Sequence, residues 1–272
     1  MKRLLIASLA IASTSVFSQN QSSFDGFLSA GVGKNKITAY NDSDSSNMST
    51  LRGSFSFTHS TGFGVQIDNV INNQEIDNSY LKVRTNDLAL HGFYRQDNYL
   101  VGVIHQTRNF KAEIEGHSIT IPLDRTFTGF EGQYDFGNLT VYGLTARDEI
   151  NIPIFSSSAN ITGRKNTAEA RYFFNDNLRT DLSYSTSKFS GESSEINTTT
   201  IGVEYKFSSA PFSAYAKFQD MNGSFVDTKR FIVGVTFNFG KETLKARNSS
   251  GVSLNPISLD NQMLEMLEIF GD

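Results

Sequence analysis

The sequence predicts an all-β protein: a closed up-and-down antiparallel transmembrane β-barrel of about 12 strands with a short C-terminal periplasmic tail. Three observations predict this fold. The N-terminus has the pattern of an export signal, apolar and polar residues alternate along most of the chain, and short and long connections alternate strictly between the predicted strands. The expected domains are a signal peptide (1–18), the barrel (19–240) and a tail with a possible short helix (241–272).

The first residues predict export. Met1, Lys2 and Arg3 form a positive region, residues 4–12 form a short apolar stretch, and small residues precede a cleavage site after Ser18. This is the pattern of a secretory signal peptide, and a mature N-terminal helix is the alternative.

The composition excludes several classes of function. The net charge of -4 gives no basic field for nucleic acid, so we expect no nucleic-acid partner. The absence of cysteine excludes a disulfide framework, a thiolate metal site and a cysteine nucleophile. The sequence has no run of 18 apolar residues, so it predicts no transmembrane helix.

The connections between the predicted strands are the strongest evidence for a barrel. Five are short and rich in turn-forming residues, and six are long and polar, in strict alternation. Transmembrane barrels have short periplasmic turns and longer outer loops, and an even strand number places both chain ends on the periplasmic side. The predicted strands are 24–38, 51–59, 63–71, 86–96, 99–109, 125–136, 139–148, 166–174, 178–188, 198–207, 212–220 and 229–239.

The two faces of the predicted strands differ in chemistry. In "RFIVGVTFNFG" (230–240), aromatic and apolar side chains alternate with small or mostly polar ones. In a closed barrel the apolar face would meet lipid, where lysine or arginine costs roughly 2–4 kcal/mol at mid-membrane. The opposite face would line the lumen. The predicted pore-lining residues are Asp68, Asp87, Arg95, Glu131, Glu169, Arg171, Arg179, Asp181, Glu204, Lys206, Lys217 and Arg230.

Two strands do not show this clean alternation. The stretches 99–108 and 139–148 carry apolar residues on both faces, so the sequence does not orient them. They could face a plugged part of the lumen.

A short motif near the end of the last strand resembles the insertion signal of Gram-negative outer-membrane proteins. Gly234, Phe237 and Phe239 match its glycine and its two aromatic positions, although Ile232 replaces the usual polar residue and the chain continues past Phe239. With the strand pattern, the chain resembles porin-like outer-membrane barrels. The resemblance implies a location in the Gram-negative outer membrane, contact with its lipid and with the barrel-assembly machinery, and passage of small hydrophilic solutes.

The tail after Gly240 has a different pattern. Residues 258–270 carry apolar side chains at helical spacing, with Asp260 as a possible cap. We expect the tail on the periplasmic side, where it could dock on the barrel mouth, fold into the lumen or bind a partner. A short surface helix after a flexible linker is the simplest interpretation. The apolar connection 110–124 could also fold inward as a constriction or pack against neighbouring loops.

Three functions remain open from the sequence. The first is a passive porin-like channel, and the second is a non-channel barrel for adhesion or anchoring. The third and least favoured is a lipid-active enzyme, because His117 and Ser118 are adjacent and would point to opposite faces of a strand. We therefore expect no enzymatic activity. The histidines are scattered, so we expect no metal or cofactor. Lumen charges of both signs would either line a narrow aqueous passage or pair and fill the barrel.

Overall fold

Neighbouring antiparallel strands close the chain into a barrel. The computed structural model describes residues 22–39, 42–76, 81–114, 123–154, 157–190, 195–224 and 226–257. Within these residues each strand pairs with its sequence neighbours, and β12 pairs with β1, which confirms the predicted fold class. The strands are β1 Ser23–Ala39, β2 Asp42–Thr58, β3 Phe63–Ile76, β4 Leu81–Gln96, β5 Tyr99–Ile114, β6 Leu123–Phe136, β7 Leu139–Ile154, β8 Ser157–Asn175, β9 Leu178–Phe189, β10 Glu195–Lys206, β11 Phe212–Asn222 and β12 Val226–Phe239, and α1 Leu244–Ser250 follows them.

The tight turns lie at one rim of the barrel, together with the start of β1 and the end of β12. We call this rim the short-turn mouth. The turns 97–98, 137–138 and 176–177 have two residues each, and Gly137 adopts a positive φ of 76° that suits glycine. The opposite rim is the long-loop mouth. Within the described ranges no helix is long and apolar enough to cross a membrane.

The strands extend further toward the long-loop mouth than the sequence predicts. The predicted loop 40–50 is largely part of β2, and β5 continues to Ile114. A strand of 16 residues, tilted by about 40°, spans roughly 40 Å, whereas a lipid-facing apolar band is about 25 Å tall. Beyond lipid the outer face meets water, so polar residues replace the outward apolar ones, and the apolar alternation that marks a lipid-facing strand disappears although the ladder continues.

The outer wall carries an apolar belt next to the short-turn mouth. On β12 the outward side chains of Phe231, Val233, Val235 and Phe237 are 40–57% exposed, while the inward side chain of the adjacent Arg230 is buried. Aromatic side chains line the edge of the belt next to the short-turn mouth. For example, the ring centroids of Phe212 and Phe237 are 5.4 Å apart. A continuous exposed apolar belt of this kind fits lipid contact.

The motif that resembles an insertion signal has a structural role on β12. Gly234 pairs with Gly31 across the β1–β12 seam, and a Cβ on Gly234 would lie 2.3 Å from the Ala30 carbonyl oxygen and 2.5 Å from the Tyr215 ring. The glycine therefore makes room for an aromatic ring over the seam. Phe237 and Phe239 belong to the aromatic edge, with centroids 6.2 Å apart.

Candidate functional site: the barrel lumen

The structure places the predicted charged residues on the inner wall. They are buried or half-buried, and they alternate with outward-facing neighbours. Eight of them border the internal cavity described below, and Arg95 binds the tail inside the barrel. The inward set is Asp68, Asp87, Arg95, Glu131, Glu169, Arg171, Arg179, Asp181, Glu204, Lys206, Lys217 and Arg230.

A buried polar network crosses one side of the lumen. Arg52 donates to Asp68 at 2.8 Å, and the His91 ring lies between Asp68 at 3.2 Å and Glu131 at 2.7 Å. The Tyr142 hydroxyl donates to Glu131 at 2.9 Å. Sequence analysis did not place Arg52 or Tyr142 in the predicted set. Here opposite charges compensate each other across the barrel, as one of the two sequence interpretations expects.

A second group of ion pairs lies nearer the long-loop mouth. Arg108 binds Asp87 at 2.6 Å, and Arg125 binds Asp148. The guanidiniums of Arg108 and Arg125 lie 5.4 and 4.7 Å from the centroid of the buried Phe127 ring. Of these residues sequence analysis selected only Asp87. Continuing the alternation beyond the apolar belt would have found the others.

The tail turns into the barrel immediately after β12. The Asp25 carboxylate accepts hydrogen bonds from the backbone N–H of Lys241 at 2.8 Å and of Val252 at 2.7 Å, and so joins both ends of the inward turn to β1. Thr243 caps α1 by accepting from the Ala246 N–H at 3.1 Å. Lys245 fixes α1 to the short-turn mouth through the Asn138 side chain at 2.7 Å.

One face of α1 is buried inside the mouth. Leu244 is fully buried, and Arg247 donates to Glu204 at 2.8 Å and to Asn238. The guanidinium of Arg247 also lies 5.0 Å from the Phe27 ring centroid. Burial lowers the pKa of Arg247, and the neighbouring Glu204 carboxylate opposes this shift. An arginine remains charged at neutral pH, so this contact is an ion pair.

After α1 the chain runs up the lumen in an extended form, with two glutamines holding its backbone. The Gln66 side-chain amide accepts a hydrogen bond from the Leu254 N–H at 3.3 Å and donates one to the Leu254 carbonyl oxygen at 2.7 Å. The Gln106 amide bonds the N–H and the C=O of Ile257 at 2.7 and 3.3 Å, and Arg108 also donates to the Ile257 carbonyl. Gln106 lies seven residues from Tyr99 at the short turn, so Ile257 lies about 18 Å up the barrel.

An apolar core explains the two strands that the sequence left unoriented. Leu100 and Ile104 of β5 and Leu144 of β7 point inward and pack in one buried cluster with Leu254 and Ile257 of the tail. Their outward neighbours, such as Tyr99 and Val141, are exposed. These stretches therefore face a filled part of the lumen, which is the possibility that the sequence raised without orienting them.

Of the options that the sequence left for the tail, the described part, residues 241–257, takes the lumen. The segment is not a flexible linker, because Leu244, Val252, Leu254 and Ile257 are buried. The predicted helix 258–270 lies outside the described residues. So do the signal peptide, the middle of connection 110–124, and His117 with Ser118.

A cavity of about 260 Å³ remains in the lumen beside the tail. The tail follows the wall that carries Gln66 and Gln106, and the cavity lies between the tail and the wall of β9–β12, with further lining residues from β1–β4, β7 and β8. That wall presents hydroxyls from Ser183, Ser185 and Thr200, and charges of both signs from Asp181 and Lys217. Arg247 and Val252 border the cavity, so α1 and the inward turn help to form its floor.

Comparison with known proteins adds information on the fold. No protein-family model matches the chain, and no curated protein matches it. The translocator domain of the autotransporter NalP from Neisseria meningitidis is similar in structure, with 12% identity and a TM-score of 0.54 over 80% of this chain and 88% of that chain. The KdgM porin in complex with disordered oligogalacturonate is similar with 13% identity and a TM-score of 0.50, over 77% of this chain and 99% of that chain. The chain thus shares the fold of outer-membrane β-barrels.

Proposed function

We propose that the protein is a porin-like channel for small hydrophilic solutes or ions in the outer membrane of a Gram-negative bacterium, closed at its periplasmic mouth by α1. The observation that carries this proposal is the polar cavity between the tail and the β9–β12 wall. A barrel that served only as an anchor would have no need of a hydroxyl-lined space inside.

The chemistry of the cavity favours hydrophilic solutes without a strong charge preference. Serine and threonine hydroxyls can both donate and accept, and the lining carries charges of both signs, six basic side chains and four carboxylates, several of which form ion pairs. The KdgM porin, described in complex with an oligogalacturonate, offers an example of this fold with a hydrophilic molecule. Contact of the apolar belt with lipid and insertion by the barrel-assembly machinery belong to the same proposal.

The mouth must open for solutes to pass, and the contacts of α1 suggest how. Its attachment combines the buried Leu244 with polar contacts of Arg247 to Glu204 and of Lys245 to Asn138. The strand ladder closes completely without it, since β12 pairs directly with β1. Displacement of residues 241–257 would therefore open the lumen and leave the barrel hydrogen bonds unchanged.

Single-channel recording in planar bilayers tests this proposal. We compare the refolded full-length protein with a chain that ends at Gly240, after heat-modifiable gel mobility has shown that both are folded. We expect small or rare currents from the first and stepwise, larger currents from the second. Silence in both folded proteins would reject the channel.

Charge reversal inside the cavity supplies the matched control. Lys217→Glu adds a carboxylate to the cavity wall, whereas Lys229→Glu makes the same change on the exposed outer face of β12. In the conducting form we expect only Lys217→Glu to shift the reversal potential in a salt gradient toward cation preference. An equal effect of both changes would show that ions do not pass along this wall.

A non-channel barrel for adhesion or anchoring is the second candidate. It is favoured by the ion pairs that fill the other side of the lumen and by the apolar cluster around Leu254 and Ile257. Silence of both folded proteins in the bilayer would favour this function.

A further inference from the structure

Three basic side chains lie next to one another on the outer wall, on the long-loop side of the apolar belt. Arg147 of β7 is directly opposite Arg164 of β8, and Arg164 is directly opposite Lys188 of β9. All three face outward and are exposed. We name these residues the basic row. Like charges directly opposite each other on neighbouring strands destabilise a sheet, so the stability of the barrel does not explain this arrangement.

Carboxylates approach the basic row at its two ends. Glu149 binds Arg147 at 2.8 Å, and Glu195 of β10 is directly opposite Lys188. Arg164 lies between these ends and forms no ion pair with any residue that the structure describes. The basic row therefore keeps a net positive charge even when both carboxylates are counted.

The basic row lies at the level of lipid headgroups if the apolar belt contacts lipid. A polar layer separates the two, in which Thr145 donates to Asn166 at 2.8 Å and Asn166 is opposite Thr186. The basic row is two residues further along the strands, which is about 5 Å along the membrane normal at a tilt of about 40°. The headgroup region extends roughly 5–8 Å beyond the hydrocarbon on each side, so exposed cations here meet phosphates.

The belt has a shallow depression below the basic row. Gly132 of β6, Gly143 of β7 and Ala168 of β8 are directly opposite one another and face outward. A Cβ on Gly143 would meet only the Thr167 carbonyl oxygen, at 3.9 Å, and a Cβ on Gly132 only that of Leu100, at 3.5 Å. Contacts within the protein therefore do not require glycine at either position.

Larger side chains border the depression on both sides. Val101 of β5 is opposite Gly132, and Tyr184 of β9 is opposite Ala168. Both side chains are about half exposed. The outer wall thus combines a cationic surface at headgroup level with a recess in the apolar surface beneath it, which is the shape and the charge of a phosphate group that carries acyl chains.

We propose that the basic row and the depression below it form a binding site for a phosphorylated lipid of the outer leaflet. The phosphate accepts charge-assisted hydrogen bonds from Arg164 and its two neighbours, and an acyl chain fills the depression. The bound phosphate offsets the repulsion between the three cations. This inference rests on the proposed outer-membrane location and not on whether the barrel conducts.

A second pair of opposed cations on the outer wall supplies a matched control. Lys36 of β1 is directly opposite Lys229 of β12, and Asp220 of β11 is opposite Lys229 on its other side. The belt next to this pair carries the large exposed side chains of Phe231 and Val233. The control pair therefore has the charge of the proposed site without the depression.

Native mass spectrometry of the refolded full-length protein in detergent tests the site, with diphosphoryl lipid A as the probe. We expect Arg147→Gln with Arg164→Gln to raise the apparent Kd for this lipid at least about tenfold. Lys36→Gln with Lys229→Gln removes the same charge and should change the Kd less than about twofold. Equal weakening by both pairs of changes would show that the lipid responds only to the overall charge of the wall, and no weakening by either would place it elsewhere. Both results overturn the proposal.

Two more measurements separate an intact lipid from free phosphate. Ala168→Leu fills the depression without changing the charge, and Ala214→Leu adds the same side chain to the outward face of β11. We expect only Ala168→Leu to weaken binding, by roughly threefold or more. Excess inorganic phosphate should leave the lipid bound. Displacement by inorganic phosphate, or unchanged binding in a folded Ala168→Leu barrel, would overturn the assignment to a lipid.

Discussion

Leu254 offers the sharpest test of how the tail is held in the lumen. Its side chain is 1% exposed and belongs to the apolar cluster formed with β4–β7. Replacement of a buried leucine by alanine costs about 2–5 kcal/mol, and the value rises with the cavity left behind. We take about 3 kcal/mol, which corresponds to roughly a 100-fold increase in the released fraction of the tail.

The assay relies on a single introduced thiol, because the chain has no cysteine of its own. Val252→Cys places one buried thiol on the tail, and its side chain is 5% exposed in the folded protein. Because Val252 borders the cavity, the reagent is a water-soluble maleimide too large to enter it, which can react only when the tail leaves the lumen. The rate of modification then reports the free energy of local opening. We expect Leu254→Ala to raise this rate by about 100-fold, while gel mobility shows an intact barrel.

The matched control is the same chemical change on the outer wall. Leu182 is 53% exposed on β9 and faces outward, so Leu182→Ala should leave the thiol reactivity unchanged. An unchanged rate in Leu254→Ala, or an equal rise of the rate in both variants, would contradict this prediction. Either result would mean that packing of Leu254 does not hold the tail.

Two other changes test the barrel itself. His91→Leu removes the ring that lies between two buried carboxylates, so it should lower the free energy of unfolding by about 3 kcal/mol. His105→Leu on the exposed outer wall should leave that energy unchanged, and equal urea midpoints for the two variants would contradict the network's role. Val233→Arg, on the lipid-facing belt, should destabilise the barrel in vesicles by about 2–4 kcal/mol, whereas Lys229→Arg above the belt should not. Unfolding of the Val233→Arg barrel at the normal urea concentration would argue that this face does not contact lipid.

The fold could be predicted from local patterns because a barrel wall has a repeating environment. Alternation of side chains around stretches such as 230–240, with tight turns between them, suffices for strand number and closure. The inward direction of Glu169, Glu204 and Lys217 follows from the same rule. The rule failed toward the long-loop mouth, where β2 and β5 continue with polar outward side chains, although Met48 and Phe110 on their inner faces are buried. Water on the outer face there removes the outward apolar residues by which the sequence marks a barrel strand.

The interior of the barrel depended on contacts between distant parts of the chain. The sequence could not show that Gln66 and Gln106 bind the backbone of Leu254 and Ile257, because 188 and 151 residues separate the partners. The apolar residues on both faces of β5 and β7 were a visible sign that something packs there. Only the tertiary structure showed that the tail is what they contact.

Local sequence patterns suffice to predict the wall of this protein, whereas the contents of the barrel depend on tertiary contacts. Wall residues such as Val233 face either lipid or the lumen. This imposes an alternation of apolar and polar side chains that is visible in a short stretch of sequence. The lumen of a barrel this size can hold water, paired charges or a segment of chain. Which of these occupies it depends on whether α1 and residues 251–257 find partners such as Asp25 and Gln66, and those partners meet only when the barrel has closed.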